Sequence, residues 1–412
     1  MTSRNLASDC YYSETINLPQ SSSHRTFRCR DLIAVLSMNK TGLKVESLAL
    51  WSLTTRCKLW DMEIAPNYTG SIPGDCLLSE YGMVLINSKS MKDKIIVLDG
   101  KLTGVLPNLN WYSIVPIGNR ILGCWAERHN PNDREPCWLP ENSNYFFGEW
   151  DQKGKSLSRY LLDHTRGRWT YQYACNEGFW VRMSGSKEAN LASIIEVVDR
   201  VTETMKTFEL PLNQDEEKFT SACIVQNRLF YGKNAMRPWS KYAIKVHYEP
   251  TICICDLVKG TILGEFSTGA DKGEPKYLVA TQNYAAWLEY EGSNDRVKYL
   301  DVLGKKVKDA TFVPYCVGHS QVVLNIVGAL LSVTYPHRSW GTGCARWRRK
   351  VIDMKTGELK CDVKYKRCPW GECSISNGNV VITDNFSGQS RIYIESFTSE
   401  GPSDNESSFR IN

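Results

Sequence analysis

The stretch Val351-Ile-Asp-Met-Lys-Thr-Gly-Glu-Leu-Lys-Cys-Asp-Val363 decides the fold of this 412-residue chain. An apolar run leads into Asp353, a Lys-Thr-Gly turn follows, and a second strand-like run begins at Glu358. Two short runs joined by a turn that contains glycine are typical of a β-hairpin. We therefore predict two antiparallel strands in this stretch.

Relatives of this hairpin recur along the whole chain. Each ends an apolar run on Asp, Ser or Glu, and the eight copies are 48–52, 95–99, 147–151, 195–199, 253–256, 298–301, 350–353 and 392–395. Their ends are about 42 to 57 residues apart, which is the length of one four-stranded propeller blade. Ahead of each copy, two apolar runs are separated by turn formers such as Asn119, Gly178 and Gly328, which favour a tight hairpin.

These two markers predict an all-β protein with a single closed β-propeller of eight four-stranded blades. A propeller of seven blades with one irregular insert is the alternative. The blades are expected at about 28–62, 75–109, 112–163, 170–211, 219–267, 276–313, 320–365 and 371–397. A strand at 13–19 is expected to complete the last blade and close the ring over 13–397, which removes an exposed sheet edge. Residues 1–12 are expected to be flexible and 398–412 to be a disordered polar tail.

The Asp-x-x-Thr-Gly hairpin at Asp353, with weaker copies at Asp256 and Asp301, resembles the quinoprotein-like and WD-repeat propeller superfamily. The resemblance covers nearly the whole chain and implies the propeller fold. Its motif is degenerate, because Trp60-Asp61 and Trp150-Asp151 occur without a Gly-His pair at the start of a blade. It implies nothing specific about function.

Composition leaves the class of partner open. The net charge is +5, from 50 basic and 45 acidic residues, which permits contact with an acidic partner without requiring it. The N-terminus has no apolar segment of the secretory type, and nowhere do eighteen apolar residues run together. We expect a soluble intracellular protein, cytoplasmic or nuclear, with no membrane contact and with its 15 cysteines reduced.

Three long loops are the candidate binding surface. Each joins the second and third predicted strands of a blade, at 126–140, 233–242 and 335–347, and each combines Arg with Trp, which are frequent at binding hot spots. The candidate partner-binding residues are Arg128, Arg134, Trp138, Arg237, Trp239, Tyr242, His337, Arg338, Trp340, Arg346 and Trp347. In the alternative interpretation the loops fold back on one another and their tryptophans form local cores.

The basic run Arg346-Trp-Arg-Arg-Lys350 raises the alternative of nucleic-acid binding, with phosphate contacts from the cations and base stacking on tryptophan. The run also begins a strand. Alternation would then place Arg346, Arg348 and Lys350 on one solvated face and Trp347 on the other.

Signatures of metal binding and catalysis are weak. Two cysteine-containing sets, one with Cys344, Cys361, Cys368 and Cys373 and one with Cys124, His129 and Cys137, lack the paired short spacing of structural zinc sites. We expect no metal and no cofactor, and no residue is predicted to be catalytic. An enzyme with a site at the channel mouth, either a hydrolase or a degenerate quinoprotein, remains the alternative.

The sequence thus favours a non-enzymatic interaction scaffold or adaptor. It would be a monomeric propeller within a complex, and it would bind a protein or peptide through the Arg- and Trp-bearing loops on one face.

Overall fold

The structure is a computed structural model of the full chain. It describes residues 11–17, 23–29, 31–38, 45–52, 54–55, 57–64, 76–87, 94–107, 109–128, 143–162, 172–185, 192–211, 216–236, 248–269, 274–291, 294–314, 322–338, 345–364, 373–376, 379–384 and 391–397. Within these residues the regular structure is β-strand, and no helix long and apolar enough to cross a membrane occurs among them.

The described residues form thirty-two strands. The first sixteen are β1 (Tyr11–Asn17), β2 (Ser23–Cys29), β3 (Leu32–Met38), β4 (Val45–Ser52), β5 (Lys58–Glu63), β6 (Leu77–Leu78), β7 (Val84–Asn87), β8 (Lys94–Leu98), β9 (Lys101–Leu106), β10 (Asn110–Ile117), β11 (Arg120–Arg128), β12 (Ser143–Asp151), β13 (Ser156–Leu161), β14 (Gln172–Cys175), β15 (Phe179–Ser184) and β16 (Ile194–Asp199). The others are β17 (Thr204–Glu209), β18 (Glu216–Val225), β19 (Arg228–Met236), β20 (Tyr248–Asp256), β21 (Thr261–Ser267), β22 (Pro275–Ala280), β23 (Tyr284–Glu291), β24 (Asn294–Asp301), β25 (Lys306–Pro314), β26 (Val323–Val327), β27 (Leu330–Arg338), β28 (Ala345–Asp353), β29 (Leu359–Lys364), β30 (Cys373–Ser376), β31 (Asn379–Asp384) and β32 (Arg391–Phe397).

The strands form eight four-stranded antiparallel sheets. Sheets 1 to 7 each take four consecutive strands, from β2–β5 through β26–β29, and sheet 8 has the order β1-β32-β31-β30. In sheet 8 the register runs from Tyr11 opposite Phe397 to Asn17 opposite Arg391, so a strand near the N-terminus completes the sheet formed by the last three strands. This strand lies two residues earlier than the predicted 13–19, and Tyr11 and Tyr12 belong to it rather than to a flexible N-terminus. Sheet 1 begins at Ser23 rather than at 28, and the predicted tail 398–412 lies outside the described residues.

The sheets divide between two compact units. Unit 1 holds sheets 1, 2, 3 and 8, and unit 2 holds sheets 4, 5, 6 and 7. Within each unit the first strands of successive sheets lie side by side, as β14, β18, β22 and β26 do in unit 2. The fourth strands are half exposed, and β21 alternates exposed and partly buried side chains along its length.

Side-chain alternation along the strands builds the cores between sheets. In β19, Tyr231 packs with Val181 and Ile195 of sheet 4, whereas the adjacent Phe230 packs with Trp287 of sheet 6. Successive side chains of a strand point to opposite faces, so one strand supplies both cores. The aromatic and aliphatic side chains in these two clusters are buried, and they hold sheet 5 between its two neighbours.

The aspartate of the recurring hairpin has a local structural role. Asp353 Oδ1 accepts hydrogen bonds from the backbone N–H groups of Lys355 and Thr356, at 2.9 and 3.3 Å. Asp256 Oδ1 makes the equivalent pair of bonds in sheet 5, and Gly357 has a φ of 77°, which favours glycine. The repeated motif therefore forms the turn between the third and fourth strands of these sheets.

Candidate functional site

The antiparallel order of each sheet brings two kinds of connection to one end. Strands run alternately up and down, so the link between the second and third strands leaves at the end where the fourth strand also finishes. We call this end of a sheet its loop end. Thr268, directly after β21, donates a hydrogen bond from Oγ1 to Glu289 Oε1 near the end of β23 at 2.5 Å. The loop ends of sheets 5 and 6 therefore lie beside each other.

All three predicted loops attach to loop ends. Residues 129–142 join β11 to β12, 237–247 join β19 to β20, and 339–344 join β27 to β28, and all three segments lie outside the described residues. Six of the candidate binding residues fall in them: Arg134, Trp138, Arg237, Trp239, Tyr242 and Trp340. The structure does not test whether they bind a partner, and that assignment stays a prediction.

The other five candidates lie in the strands that flank these loops. Arg128 is the last residue of β11, and His337 and Arg338 are the last two of β27. Arg346 and Trp347 are the second and third residues of β28, and the backbone of Arg346 pairs with that of His337. The two strands are therefore paired in regular register up to the residues that flank the 339–344 loop.

A groove lies between sheets 6 and 7, where Lys350 of β28 meets β24 and β25. Its volume is about 260 Å³, and it is lined by Arg296, Asp309, Ala310, Thr311, Phe312 and Lys350. Phe312 is 55 % exposed, and the Arg296 guanidinium lies over its ring, with 4.9 Å between Cζ and the ring centroid. The groove therefore combines an aromatic platform with cationic groups, which is a combination used in recognition.

The cations of the basic run have different surroundings. Arg348 makes a two-point ion pair with Asp362, with Nε donating to Oδ1 at 2.6 Å and NH2 donating to Oδ2. Arg349 is only 2 % exposed, and its Nε donates to Ser332 Oγ at 2.9 Å. The predicted alternation is seen for Arg348 and Arg349, but the expected solvated face is partly buried, since 22 % of the Arg348 side chain is exposed.

Lys350 lies on the same face as Arg348 and reaches sheet 6. Its Nζ donates to Thr311 Oγ1 at 2.6 Å. Burial lowers the pKa of Lys350, the positive charge of Arg348 lowers it further, and Asp362 opposes both effects. The pKa of Arg348 is raised, first by its hydrogen bond to Asp362. The carboxylate of Asp362 therefore mainly neutralises Arg348, and the surroundings of Lys350 disfavour its charged form.

Buried polar groups fix the loop ends of sheets 5 and 6. Glu289 forms an ion pair with Lys298, whose Nζ also donates to the Thr268 carbonyl at 2.7 Å, and both side chains are almost completely buried. Nearer the surface, Glu274 contacts Lys218 and Lys276. Burial by itself would raise the pKa of Glu274, but the two lysines outweigh that effect and hold this pKa below its ordinary value. The Glu289–Lys298 pair lies within sheet 6, and the contacts of Lys298 with Thr268 and of Glu274 with Lys218 join sheet 6 to sheet 5.

The cysteines in the described residues are mainly core residues. Cys124 and Cys361, each a member of a set considered for zinc, are buried in β11 and β29. Burial raises the pKa of Cys223, and it raises that of Cys255 to about 11, so both thiols are neutral. Among the described side chains, no three of the His, Cys, Asp or Glu type come close enough to hold a metal ion.

Sequence reasoning missed most of the groove. Lys350 was part of the basic run, but Arg296, Asp309 and Phe312 lie in another sheet and carry no motif. Their meeting point depends on a β-bulge, where the register between β24 and β25 shifts between Val297 and Lys298. A bulge changes which side chains share a face, and no local sequence signal for it occurs here.

Comparison with known proteins identifies the fold. The chain matches no described protein family, and no curated protein matches it in sequence. The WD40 domain of SCAP from fission yeast is similar over 94 % of this chain and 99 % of its own, with 10 % identity and a TM-score of 0.50. A computationally designed protein, Ika8, matches over 91 % of this chain and 96 % of its own, with 14 % identity and a TM-score of 0.52.

Enzymes are also among the similar structures. The structure of a prolyl endopeptidase is similar over 91 % of this chain and 54 % of its own, with 8 % identity and a TM-score of 0.52. Identities this low show the fold alone. The predicted resemblance to WD-repeat and quinoprotein-like β-propellers is thus confirmed at the level of the fold.

Proposed function

We propose that this protein is a non-enzymatic interaction scaffold that binds a protein or peptide at the loop ends of its sheets. The observation that carries the proposal is the attachment of all three Arg- and Trp-bearing loops to loop ends. A groove with cations and an exposed phenylalanine lies between sheets 6 and 7. Arginine and aromatic side chains dominate the free energy of protein recognition, because they combine a large contact area with a directed polar group.

The finer architecture belongs to the same proposal. An eight-bladed ring closed by β1 accounts for the eight sheets and for the pairing of β1 with β32. Closure of this kind would give every loop end one common face. Deleting residues 1–19 should then lower the melting temperature, because β32 loses its partner strand. An unchanged melting temperature would contradict closure by β1.

The described structure favours a scaffold over nucleic-acid binding by the basic run. Arg349 is buried against Ser332, and Arg348 is held by Asp362, so neither guanidinium is free to contact a phosphate. A protein partner would need only the loops and the rim of the groove.

The test is affinity capture from native extract with the whole protein. The wild type is compared with the triple variant Trp138→Ala, Trp239→Ala and Trp340→Ala. The matched control replaces three exposed apolar residues at the opposite ends of their sheets, Tyr81→Ala, Val201→Ala and Leu303→Ala, which are 68, 82 and 80 % exposed. We expect the loop variant alone to lose a partner. Loss from the control as well, or from neither variant, would overturn the proposal.

A further inference from the structure

The loop end of sheet 3 carries an arginine that lies flat on an aromatic ring. The Arg159 guanidinium lies over the Phe146 ring, with 3.8 Å between Cζ and the ring centroid. Trp125 is stacked beside Phe146, with 5.6 Å between the two ring centroids. A separation as short as 3.8 Å places one face of the planar guanidinium against the ring, as in a cation–π pair. The opposite face of the guanidinium is then turned away from the aromatic core of the sheet.

Two hydrogen bonds hold the guanidinium in this position. Glu127 Oε2 accepts a hydrogen bond from Arg159 NH2, and Glu127 Oε1 accepts one from Trp125 Nε1, both at 2.8 Å. Trp125 is only 3 % exposed, and a Cβ at Gly148 would lie 2.9 Å from its ring, so its packing leaves the indole little freedom. The arginine is therefore ordered before a partner arrives, and the partner does not have to supply the free energy of ordering it.

The outer side of this arginine faces solvent. The Arg159 side chain is 49 % exposed, and Leu161, which lies opposite Phe146 in the register of β12 and β13, is 61 % exposed. Arg159 and Leu161 are two positions apart on one strand, so their side chains lie on the same face of the sheet. Leu161 is the last residue of β13, which places the pair at the loop end. We call the exposed surface of Arg159, Leu161 and the half-buried Phe146 the arginine platform.

The chemistry of the platform indicates the ligand that fits it. Glu127 compensates Arg159, so the pair carries no net charge and has no excess attraction for a phosphate or a carboxylate. A guanidinium nevertheless attracts the negative face of an aromatic ring and stacks on flat groups. Leu161 adds apolar contact area beside it. An uncharged flat group with a π face satisfies both requirements, and the protein side chains of this kind are those of Phe, Tyr and Trp.

We infer that the arginine platform binds an aromatic side chain of a partner protein, which stacks on the outer face of the Arg159 guanidinium and covers Leu161. The guanidinium then lies between two rings, that of Phe146 and that of the partner. This inference rests on the proposed function, which it makes specific. Glu127, the residue that holds Arg159, comes directly before Arg128 at the end of β11, where the predicted binding loop 129–142 begins.

The first measurement compares two ligands that differ in aromaticity. N-acetyl-phenylalanine-amide and N-acetyl-cyclohexylalanine-amide have similar apolar size, but only the first has a π face. Each is titrated into the intact protein carrying ¹³C-methyl leucine, and the Leu161 signals are assigned by their absence in Leu161→Ile. We expect a saturable shift of the Leu161 signals with the phenylalanine amide, and binding of the cyclohexylalanine amide that is weaker by about threefold or more. Leu263 on β21, which is 50 % exposed, should shift with neither ligand.

A second measurement replaces the guanidinium. Arg159→Lys keeps the positive charge but has no plane on which a ring can stack, so the phenylalanine amide should bind about threefold or more weakly to this variant. The matched control is Arg120→Lys, because Arg120 lies in the same sheet, is 42 % exposed and also pairs with a glutamate, Glu149. The control should bind the phenylalanine amide like the wild type. Circular dichroism checks that both variants fold.

Several outcomes would overturn the inference. They are equal affinity for the two amides, an equal shift of Leu263, or undiminished binding to Arg159→Lys. A thymidine oligonucleotide that shifts the Leu161 signals at a lower concentration than the phenylalanine amide does would also overturn it, because the platform would then bind nucleic acid.

The two proposals can fail separately. If the arginine platform fails these tests while the loop variant still loses its partner, the scaffold proposal stands without this site. If the platform passes and the loop variant loses nothing, the aromatic site stands and binding through the loops is refuted.

Discussion

Breaking the buried ion pair between Glu289 and Lys298 should destabilise the protein more than any change at a surface pair. Glu289 is 0 % exposed, and Lys298 Nζ contacts both its carboxylate and the Thr268 carbonyl. In Lys298→Met the carboxylate stays buried without its cation, and the Thr268 carbonyl loses its donor. Removal of one partner from a buried pair costs about 3–5 kcal/mol of unfolding free energy.

The double variant Glu289→Leu with Lys298→Met should recover part of this loss. It removes both charges, so no desolvated ion remains, but the Thr268 hydroxyl loses its acceptor and the Thr268 carbonyl loses its donor, at a cost of about 1 kcal/mol each. The assay is urea unfolding followed by far-UV circular dichroism and by tryptophan fluorescence. With a denaturant slope of about 2–3 kcal/mol per M, the single variant should lose about 1–2.5 M in midpoint.

The control for this experiment is Lys360→Met, because Lys360 pairs with Glu358 at the surface, where 44 and 65 % of the two side chains are exposed. Its midpoint should match that of the wild type. The reasoning is refuted if Lys298→Met unfolds at the same urea concentration as this control. It is equally refuted if the double variant is no more stable than the single one.

Three further results are expected. Gly104→Ala should lower the free energy of unfolding by about 1–3 kcal/mol, because the added Cβ would lie 2.4 Å from the Lys153 carbonyl group in the next sheet. A urea midpoint within error of the wild type would contradict that close approach. Folding lowers the pKa of Lys350, so the unfolded chain binds this proton more tightly than the folded protein does. The free energy of unfolding of the wild type should therefore rise relative to that of Lys350→Met as the pH rises towards 10.5. A difference between the two proteins that does not depend on pH would contradict the lowered pKa. Iodoacetamide should label the exposed Cys57 in the native protein and spare Cys255, as read by mass spectrometry of peptides; prompt native labelling of Cys255 would show that its burial is wrong.

Local chemistry made the strands and turns predictable. Asp199, Asp256 and Asp353 each accept backbone N–H groups two and three residues ahead, so their structural role is confined to a few neighbouring residues. The apolar periodicity likewise reports on one strand at a time. By contrast, the sequence shows Arg349 only as one member of a basic run, and nothing local indicates that it is buried against Ser332.

Long-range packing determined the candidate groove. Arg296 and Lys350 are far apart in sequence, and they meet because sheets 6 and 7 pack face to face and because β25 carries a bulge. Six of the candidate loop residues lie outside the described residues, so the structure leaves their role as a prediction.

The sequence by itself therefore determined the repeat, the hairpins and the likeness to propellers, since each depends on residues close together in the chain. Only the tertiary structure decided which charges are compensated. Asp362 holds Arg348, Glu289 holds Lys298, and Lys350 is left facing a groove. The physical reason is that the free energy of a charge depends on its burial and on the partners that neighbouring strands and sheets bring to it, and neither is encoded in the residues next to it in the chain.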